Sequence, residues 1–274
     1  MSAAFREALT PGAIGGAVVI ALYALLALAS LTPWFDAGLA LDVAGRLAPP
    51  SIGHWFGTDP LGRDVFSMVA VGARTSLAVA SGAVALGVAA GTPLGLVAAA
   101  RGGLVDEALA RANDLLFAFP SLLLAVLLSA ALGPGAFTAV IAIGIFNVPV
   151  FARLVRGSAL ALMSRDFVRA ARLSGRGPAG IAFVHLLPNV AGLLVAQAAI
   201  QLSLGIAAEA ALSYVGLGAQ PPAPSWGRML NEAQTLVGTA PWLAVFPGAA
   251  LALAVLALGV VGDRLAAALG TRGR

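Results

Sequence analysis

The sequence contains no cysteine and no lysine, and only 10% of its 274 residues are charged. Without cysteine, the chain cannot form disulfide bonds, use a thiol in catalysis or hold zinc or an iron–sulfur cluster through sulfur. Without lysine, it cannot contain the P-loop G-x-x-x-x-G-K-[ST], whose lysine binds nucleotide phosphates. The G-x-S-x-G motif of serine hydrolases is also missing. We therefore expect no catalytic residues, no ATP hydrolysis by the chain itself and no cofactor.

Hydrophobic residues make up 60% of the chain, and its mean hydropathy is +0.96. Soluble domains usually carry about 25% charged residues, far more than this chain has. Uncharged runs recur along the sequence, and each is long enough for one helix across roughly 30 Å of hydrocarbon. The expected fold class is therefore an all-α integral membrane protein with six transmembrane helices, TM1 to TM6.

Arginine, proline and glycine divide the hydrophobic sequence into these spans. Arg74 and Arg101 enclose the second span, and Gly133-Pro134-Gly135 divides the uncharged stretch 115–151, which is too long for one helix. Ala27-Leu28-Ala29 could pass for a signal-peptidase site, but the apolar run before it is longer than that of a signal peptide, so we expect it to be retained. The expected segments are a cytosolic N-terminus at 1–11, TM1 at 12–31, an external segment at 32–74, TM2 at 75–100, TM3 at 113–132, TM4 at 136–156, a cytosolic loop at 157–187, TM5 at 188–210, an external loop at 211–240, TM6 at 241–262 and a cytosolic tail at 263–274.

The arginines also predict the orientation of the chain in the membrane. With the N-terminus in the cytosol, twelve of the 16 arginines lie on the cytosolic side and four lie outside: Arg46, Arg63, Arg74 and Arg228. Positive residues are enriched in cytosolic loops, so this orientation is favoured and both termini are expected in the cytosol. The pI of about 10.9 does not indicate nucleic-acid binding, because the arginines lie at span ends and are not interleaved with aromatic residues.

The most cationic segment, residues 165–189, lies between TM4 and TM5. Its arginines are spaced 4, 3 and 4 residues apart, which places them on one face if the segment is helical: Arg165, Arg169, Arg172 and Arg176. Gly175 is expected to break that helix, and a second short helix at 179–187 should end at Pro188, which can begin TM5. In the alternative interpretation, the arginines only mark the cytosolic side and contact lipid head groups.

This segment resembles the EAA loop of permease subunits of ATP-binding-cassette (ABC) importers, in which two short helices dock into a cleft of the cytosolic ATPase. The resemblance rests on Ala170-Ala171, Gly175 and His185-Leu186-Leu187-Pro188. It implies an ATPase-coupling role for Arg169, Ala170, Ala171, Gly175, His185 and Pro188. The family usually has glutamate where this chain has Arg169, so the ion pair of that glutamate is not carried over to this chain.

A second motif precedes TM2. His54, Asp59 and Asp64 lie five residues apart, a spacing that matches no common metal-ligand pattern, so no metal site is expected. The stretch from His54 to Asp64 closely resembles the F-G-T-D-x-L-G-R-D segment of the dipeptide, oligopeptide and nickel importers. Further matches to this branch of the family lie at 208–218, at 220–227 and at Ala240-Pro241-Trp242.

Glu209 is the one acidic residue deep in a hydrophobic run. Ionisable residues inside a membrane are functional candidates by default, so Glu209 is a candidate for the translocation path. The alternative is a position near the outer interface, hydrogen-bonded to a neighbouring helix or to water. After it, the proline-rich residues 219–226 cannot continue a helix, but residues 227–234 could form a short one at the outer membrane face. That short helix could be a lid, a docking surface or a rigid connector.

The resemblance implies a permease subunit of the second-permease type, which forms half of a translocation pore in a bacterial inner membrane. Its implied partners are a homologous second permease subunit, two cytosolic ATP-binding subunits and an extracytoplasmic substrate-binding protein. The substrate stays open among dipeptides, oligopeptides, nickel and metal chelates. The alternative function is a self-contained channel or an ion-coupled carrier, but a carrier should place several ionisable residues within its spans, and Glu209 is the only candidate.

Overall fold

The computed structural model describes residues 10–270, and in that range the chain is helical, with no strand beyond one isolated antiparallel bridge between Thr58 and Asp64. A single 3-10 turn occupies Val43–Gly45. The helices in chain order are α1 Pro11–Ala29, α2 Pro33–Gly38, α3 Val65–Arg101, α4 Gly103–Ala118, α5 Ser121–Leu132, α6 Ala136–Met163, α7 Asp166–Leu173, α8 Pro178–Tyr214, α9 Trp226–Ala233 and α10 Trp242–Gly270.

Five of these helices, α1, α3, α6, α8 and α10, are long and apolar enough to cross a membrane. The bent pair α4–α5 would provide a sixth crossing if its two halves count as one span. The expected all-α, multi-span fold class is therefore confirmed by the length and composition of these helices.

The second span begins earlier than the sequence predicts. We expected TM2 to start at residue 75, after Arg74, but α3 starts at Val65 because the Asp64 carboxylate accepts the backbone N–H of Ser67 at 2.8 Å and caps the helix. Arg74 instead lies inside α3, where its Nη1 donates to the carbonyl of Ser30 at 3.3 Å. Ser30 is the C-cap of α1, so the carbonyl end of one helix provides a partner for a cation within its neighbour.

The expected TM3, at 113–132, is not a single helix. The chain bends by 88° between α4 and α5. Phe119 is extended, with φ −84° and ψ 132°, because a residue before proline disfavours the α conformation, and Pro120 has no N–H to continue the helix. With 12 residues, α5 is about 18 Å long, shorter than the roughly 30 Å of hydrocarbon.

TM1 ends two residues earlier than expected, since α1 stops at Ala29, whereas TM4, TM5 and TM6 extend beyond their expected ends. The helix expected at 136–156 continues to Met163, which reduces the expected 157–187 loop to the part that follows α6. The helices expected to end at residues 210 and 262 continue to Tyr214 and Gly270. The expected span ends lie where the sequence becomes less hydrophobic. A helix can continue beyond that point, because charged and polar residues can extend it past the bilayer core.

The most extensive helix–helix interface joins α3 and α6. Three glycines spaced four residues apart, Gly87, Gly91 and Gly95, line one face of α3 where the backbone of α6 approaches. A Cβ at Gly91 would lie 2.5 Å from the Val148 carbonyl oxygen, and one at Gly95 would lie 2.5 Å from that of Ala152. This small-residue face lets the two backbones touch, as in other membrane helix pairs.

The short helix expected at 227–234 is present as α9. Its Ser225 N-cap accepts the backbone N–H of Arg228 at 3.4 Å, and its Trp226 side chain is fully buried. Trp226 Nε1 donates to the Val69 carbonyl of α3 at 3.0 Å, while α9 also packs against α8 and α10. This helix is therefore an integral part of the packed core.

Candidate functional site

The cationic loop between α6 and α8 contains one short amphipathic helix, α7. Asp166 lies in its first turn and Arg172 in its last, and both charges are favourable with respect to the helix dipole. Val168 and Ala171 are buried against the side chains of α6 and α8, so α7 has one inward and one outward face. Because α7 ends at Leu173, Arg165 and Arg176 lie beyond its ends, and the expected four-arginine helical face is limited to Arg169 and Arg172.

Gly175 ends α7 as the sequence predicts. Its φ is +77°, in the left-handed region that favours glycine. Its N–H donates to the Arg172 carbonyl at 3.0 Å, and the N–H of Arg176 donates to the Ala171 carbonyl at 3.1 Å. These two bonds form a Schellman motif, which fixes the angle at which the chain leaves α7.

The second short helix of the loop is not separate from the following span. We expected it to end at Pro188, but Ile181–Leu186 is π-helical and continues directly into the rest of α8. Pro188 follows this π turn without breaking the helix. On either side of Pro188, the Leu187 N–H donates to the Ala182 carbonyl and the Asn189 side chain donates to the His185 carbonyl at 2.6 Å. α8 is therefore one helix of 37 residues that starts in the loop itself.

Most of the residues with an expected coupling role lie on the surface. Exposed residues are Arg169, Ala170, Gly175 and Pro188, whereas Ala171 is buried. Arg169 Nη1 lies 3.5 Å from the Asp166 carboxylate, an exposed contact one helical turn away.

Two features of the loop escaped the sequence analysis. Leu173, at the end of α7, is 90% exposed, so an apolar side chain stands beside the exposed arginines. His185 is half-buried 6.3 Å from the Phe167 ring, and its Nε2 is buried without a hydrogen-bond partner in the described part of the chain. The exposed surface of the loop is therefore both cationic and apolar, and its buried residues pack against α6 and α8.

Two arginines of α6 hold α4 in place rather than reaching the loop. Arg156 forms a bidentate pair with Asp106, with Nη2 2.6 Å from Oδ2, and its side-chain hydrogen bond lowers the pKa of the Asp106 carboxyl. Arg153 pairs with Asp114 at 2.5 Å and lies 4.3 Å from the Phe117 ring centre. These contacts attach the amphipathic helix α4 to the end of α6 that leads into the loop.

Glu209 belongs to α8, and its side chain is completely buried where α8 packs against α3. Its Oε2 accepts from the Ser76 hydroxyl and its Oε1 from the Ser213 hydroxyl, both at 2.6 Å. Ser213 Oγ in turn accepts the backbone N–H of Ala219 at 3.1 Å, which ties the loop after α8 to this network. Both carboxylate oxygens are satisfied, so the geometry is that of a structural junction, and a role in the translocation path stays a prediction.

The motif before α3 forms a compact cluster of hydrogen bonds. Asp59 Oδ1 accepts the N–H groups of Leu61 and Arg63, both at 2.8 Å, and Asp59 Oδ2 accepts from Arg63 Nε at 2.7 Å. His54 Nδ1 lies 3.1 Å from Asp64, the N-cap of α3. Among residues 10–270 no group of three or more His, Asp or Glu side chains could hold a metal ion. The motif therefore fixes the start of α3.

A cavity of about 380 Å³ lies between α5, α6 and α8. Its walls are apolar except for Asn147 of α6, which is 4% exposed. Asn147 Oδ1 accepts from Gln201 Nε2 of α8 at 2.6 Å, and Gln201 in turn accepts from Gln197 at 3.4 Å. These amides are not among the residues predicted from the sequence, although uncharged polar residues within hydrophobic runs are a recognisable signal.

The comparison with known proteins decides the family. Residues 91–274 match the model of the family described as "Binding-protein-dependent transport system inner membrane component". The chain belongs to this family.

Relatives with assigned names extend the family match to nearly the whole chain. The dipeptide transport system permease protein DppC of Alkalihalophilus pseudofirmus is 40% identical over 257 residues, covering 94% of this chain and 84% of the relative. The glutathione transport system permease protein GsiD is 41% identical in Pectobacterium atrosepticum, covering 93% and 84%, and 44% identical in Escherichia coli O157:H7, covering 89% and 82%.

A solved structure supports the fold. The MetNI methionine ABC transporter in inward-facing conformations matches with a TM-score of 0.60 at 21% identity, covering 74% of this chain and 96% of that one. As a family member, the chain is a multi-pass permease subunit of an ABC importer in the inner membrane, and it works with ATPase and substrate-binding partners. The alternative of a self-contained channel or ion-coupled carrier is not favoured.

Proposed function

We propose that this permease subunit forms half of the pore of a peptide importer and that α7 and the Gly175 turn are its docking surface for a cytosolic ATPase. The observation that carries the coupling proposal is the continuity of α8. The exposed turn lies three residues before Pro178, where α8 begins, and α8 then runs without interruption to Tyr214. A protein bound to this turn therefore pushes directly on a membrane-spanning helix.

The proposed assembly contains a homologous second permease subunit, two ATP-binding subunits and an external substrate-binding protein. Hydrolysis of ATP belongs to the ATP-binding subunits, because this chain has no lysine and hence no P-loop. The names of the relatives support a dipeptide or a small peptide such as glutathione as substrate. Nickel is less well supported, since the described residues contain no cluster of metal ligands.

The orientation of the chain is the first testable prediction. The arginine distribution favours cytosolic termini, with α7 in the cytosol and the loop before α9 outside. In this cysteine-free chain, single cysteines at Gly135 and Ala223 should react with an impermeant maleimide added to intact cells, whereas a cysteine at Ser174 should react only after the cells are opened. Labelling of Ser174→Cys in intact cells would contradict both the orientation and the docking role.

The second prediction concerns docking at Gly175. A Cβ there meets no atom within 4 Å, and aspartate enters the left-handed region at a cost of about 1 kcal/mol, so the fold should survive Gly175→Asp. The new negative charge would stand on the proposed docking surface beside Arg172 and Arg176. We expect membrane abundance within about twofold of wild type, but at least a tenfold loss of substrate uptake and of ATPase co-purification.

Two variants control for backbone strain. Gly175→Asn imposes a similar strain without the charge, and Gly177→Ala adds a Cβ nearby at an ordinary φ of −70° with no atom within 4 Å. Both should retain most of the uptake. If Gly175→Asp lowers abundance and uptake in proportion while the remaining protein still binds its ATPase normally, Gly175 only ends α7 and the docking proposal is wrong.

A further inference from the structure

The amide pair Asn147 and Gln201 lies deep within the membrane-spanning part of the fold. Gln201 is 13 residues from both Pro188 and Tyr214, about 20 Å along α8 from each. Both side chains are more than nine-tenths buried. Polar side chains at this depth are costly in a bilayer and commonly have a functional role.

The pair is not fully satisfied. Asn147 Oδ1 accepts from Gln201, but Asn147 Nδ2 is buried without any hydrogen-bond partner in the described part of the chain. Exchanging the oxygen and nitrogen of the amide would leave the oxygen unpaired instead, because only one atom of the Asn147 amide has a hydrogen bond to Gln201. Either way, one strong hydrogen-bonding group has no partner among residues 10–270 of this subunit.

The unpaired group belongs to the one polar side chain in the wall of the cavity between α5, α6 and α8. The other lining residues described there are apolar or glycine, including Leu122, Phe146 and Gly205. No ionisable group is among the residues that line the cavity, and one amide is far fewer than the roughly six or more oxygen ligands that a hard cation takes. At about 380 Å³, it is in the size range of sites for small molecules.

We propose that Asn147 contacts the substrate in transit, hydrogen-bonding through its side-chain amide to a backbone amide group of a peptide whose apolar parts lie against the cavity walls. Gln201 is a positioning residue that holds the Asn147 amide by its second atom. This inference rests on the proposed function as a peptide importer. It adds a specificity-determining residue, and it explains why an incompletely paired amide is kept inside an apolar span.

The test uses the complete transporter, with its second permease, ATPases and binding protein, in proteoliposomes. The substrate probe is the best-transported member of a panel of di- and tripeptides that includes glutathione. The double variant Asn147→Leu/Gln201→Leu removes both members of the pair with little change in volume, so its stability should be close to that of wild type. Val195→Leu, on the exposed side of α8, is the control.

We expect the number of peptides imported per ATP hydrolysed to fall about tenfold in the double variant, as the loss of one good hydrogen bond predicts. ATPase activity stimulated by the loaded binding protein should stay within about twofold, because α7 is unchanged. The control Val195→Leu should match wild type in both measurements. Asn147→Ser, which keeps a donor and an acceptor, should recover part of the loss.

Three results would overturn the proposal. Unchanged peptide import per ATP in the double variant would show that the pair only packs α6 against α8. Loss of second-permease co-purification would show that the amide bonds to the partner subunit rather than to substrate. If wild-type transporter imports no peptide of the panel while its ATPase is stimulated normally, peptide transport itself is wrong and the role of Asn147 is rejected with it.

Discussion

Replacing Gly91 with leucine should leave little folded protein in the membrane. A Cβ at this position would lie 2.5 Å from the Val148 carbonyl oxygen and 2.8 Å from the Phe151 Cβ, and neither atom is the flexible end of a side chain. Leucine adds three further carbons, so α3 and α6 must separate along their main interface. Overpacking of this kind costs on the order of 3 kcal/mol or more, a large part of the 5–15 kcal/mol that stabilises a typical protein.

The measurement is membrane abundance together with the melting temperature of the detergent-solubilised protein. Gly15→Leu is the matched control, because Gly15 lies on the exposed face of α1 and a Cβ there meets no atom within 4 Å. Gly91→Ala should give an intermediate loss. A melting temperature for Gly91→Leu within about 2 °C of wild type would mean that α3 and α6 do not approach as closely as described.

Replacing Glu209 with alanine should destabilise the protein by about 3–5 kcal/mol. The substitution removes the acceptor for both the Ser76 and Ser213 hydroxyls and leaves a cavity where a fully buried side chain stood. The Ala219 N–H, which bonds to Ser213, would also lose its fixed partner position. We expect a large fall in melting temperature and in membrane abundance.

Glu209→Gln separates this structural role from a role in translocation. Glutamine keeps the volume and one carbonyl oxygen, and its amide can donate to the second serine, so stability should fall by only about 1 kcal/mol. If the network is the whole function of Glu209, uptake per folded transporter should stay within about threefold of wild type. A glutamine variant that is stable yet inactive would instead support the translocation-path prediction.

Features that depend on local sequence were predicted well. The Gly175 turn follows from the preference of glycine for positive φ, and the short helix α9 follows from an amphipathic run after a proline-rich stretch. The bend at Phe119–Pro120 was also visible in the sequence, but it was overlooked because uncharged residues continue on both sides of it. In the structure, this helix-breaking signal overrides the continuity of the hydrophobic run.

Features that depend on two distant segments could not be predicted from one sequence. The sequence predicts that Arg74 ends a span, because nothing in it shows that the Ser30 carbonyl lies beside this residue. The same holds for the bond between Asn147 and Gln201, whose residues are 54 positions apart. A charged or polar residue that would otherwise indicate the end of a span can therefore lie inside one, where it contacts a tertiary partner.

The uninterrupted course of α8 has a mechanical consequence for the transporter. At 1.5 Å per residue, its 37 residues form a helix about 55 Å long, which exceeds the thickness of the hydrocarbon core of a bilayer. Its C-terminal end is attached to α9, since the Asn231 side chain donates to the Tyr214 carbonyl at 2.7 Å. Because the helix continues through the π turn at Ile181–Leu186, a force applied at the Gly175 turn would reach the far end of α8 as a displacement of α9. In the proposed coupling, movements at the two ends of α8 would then occur together.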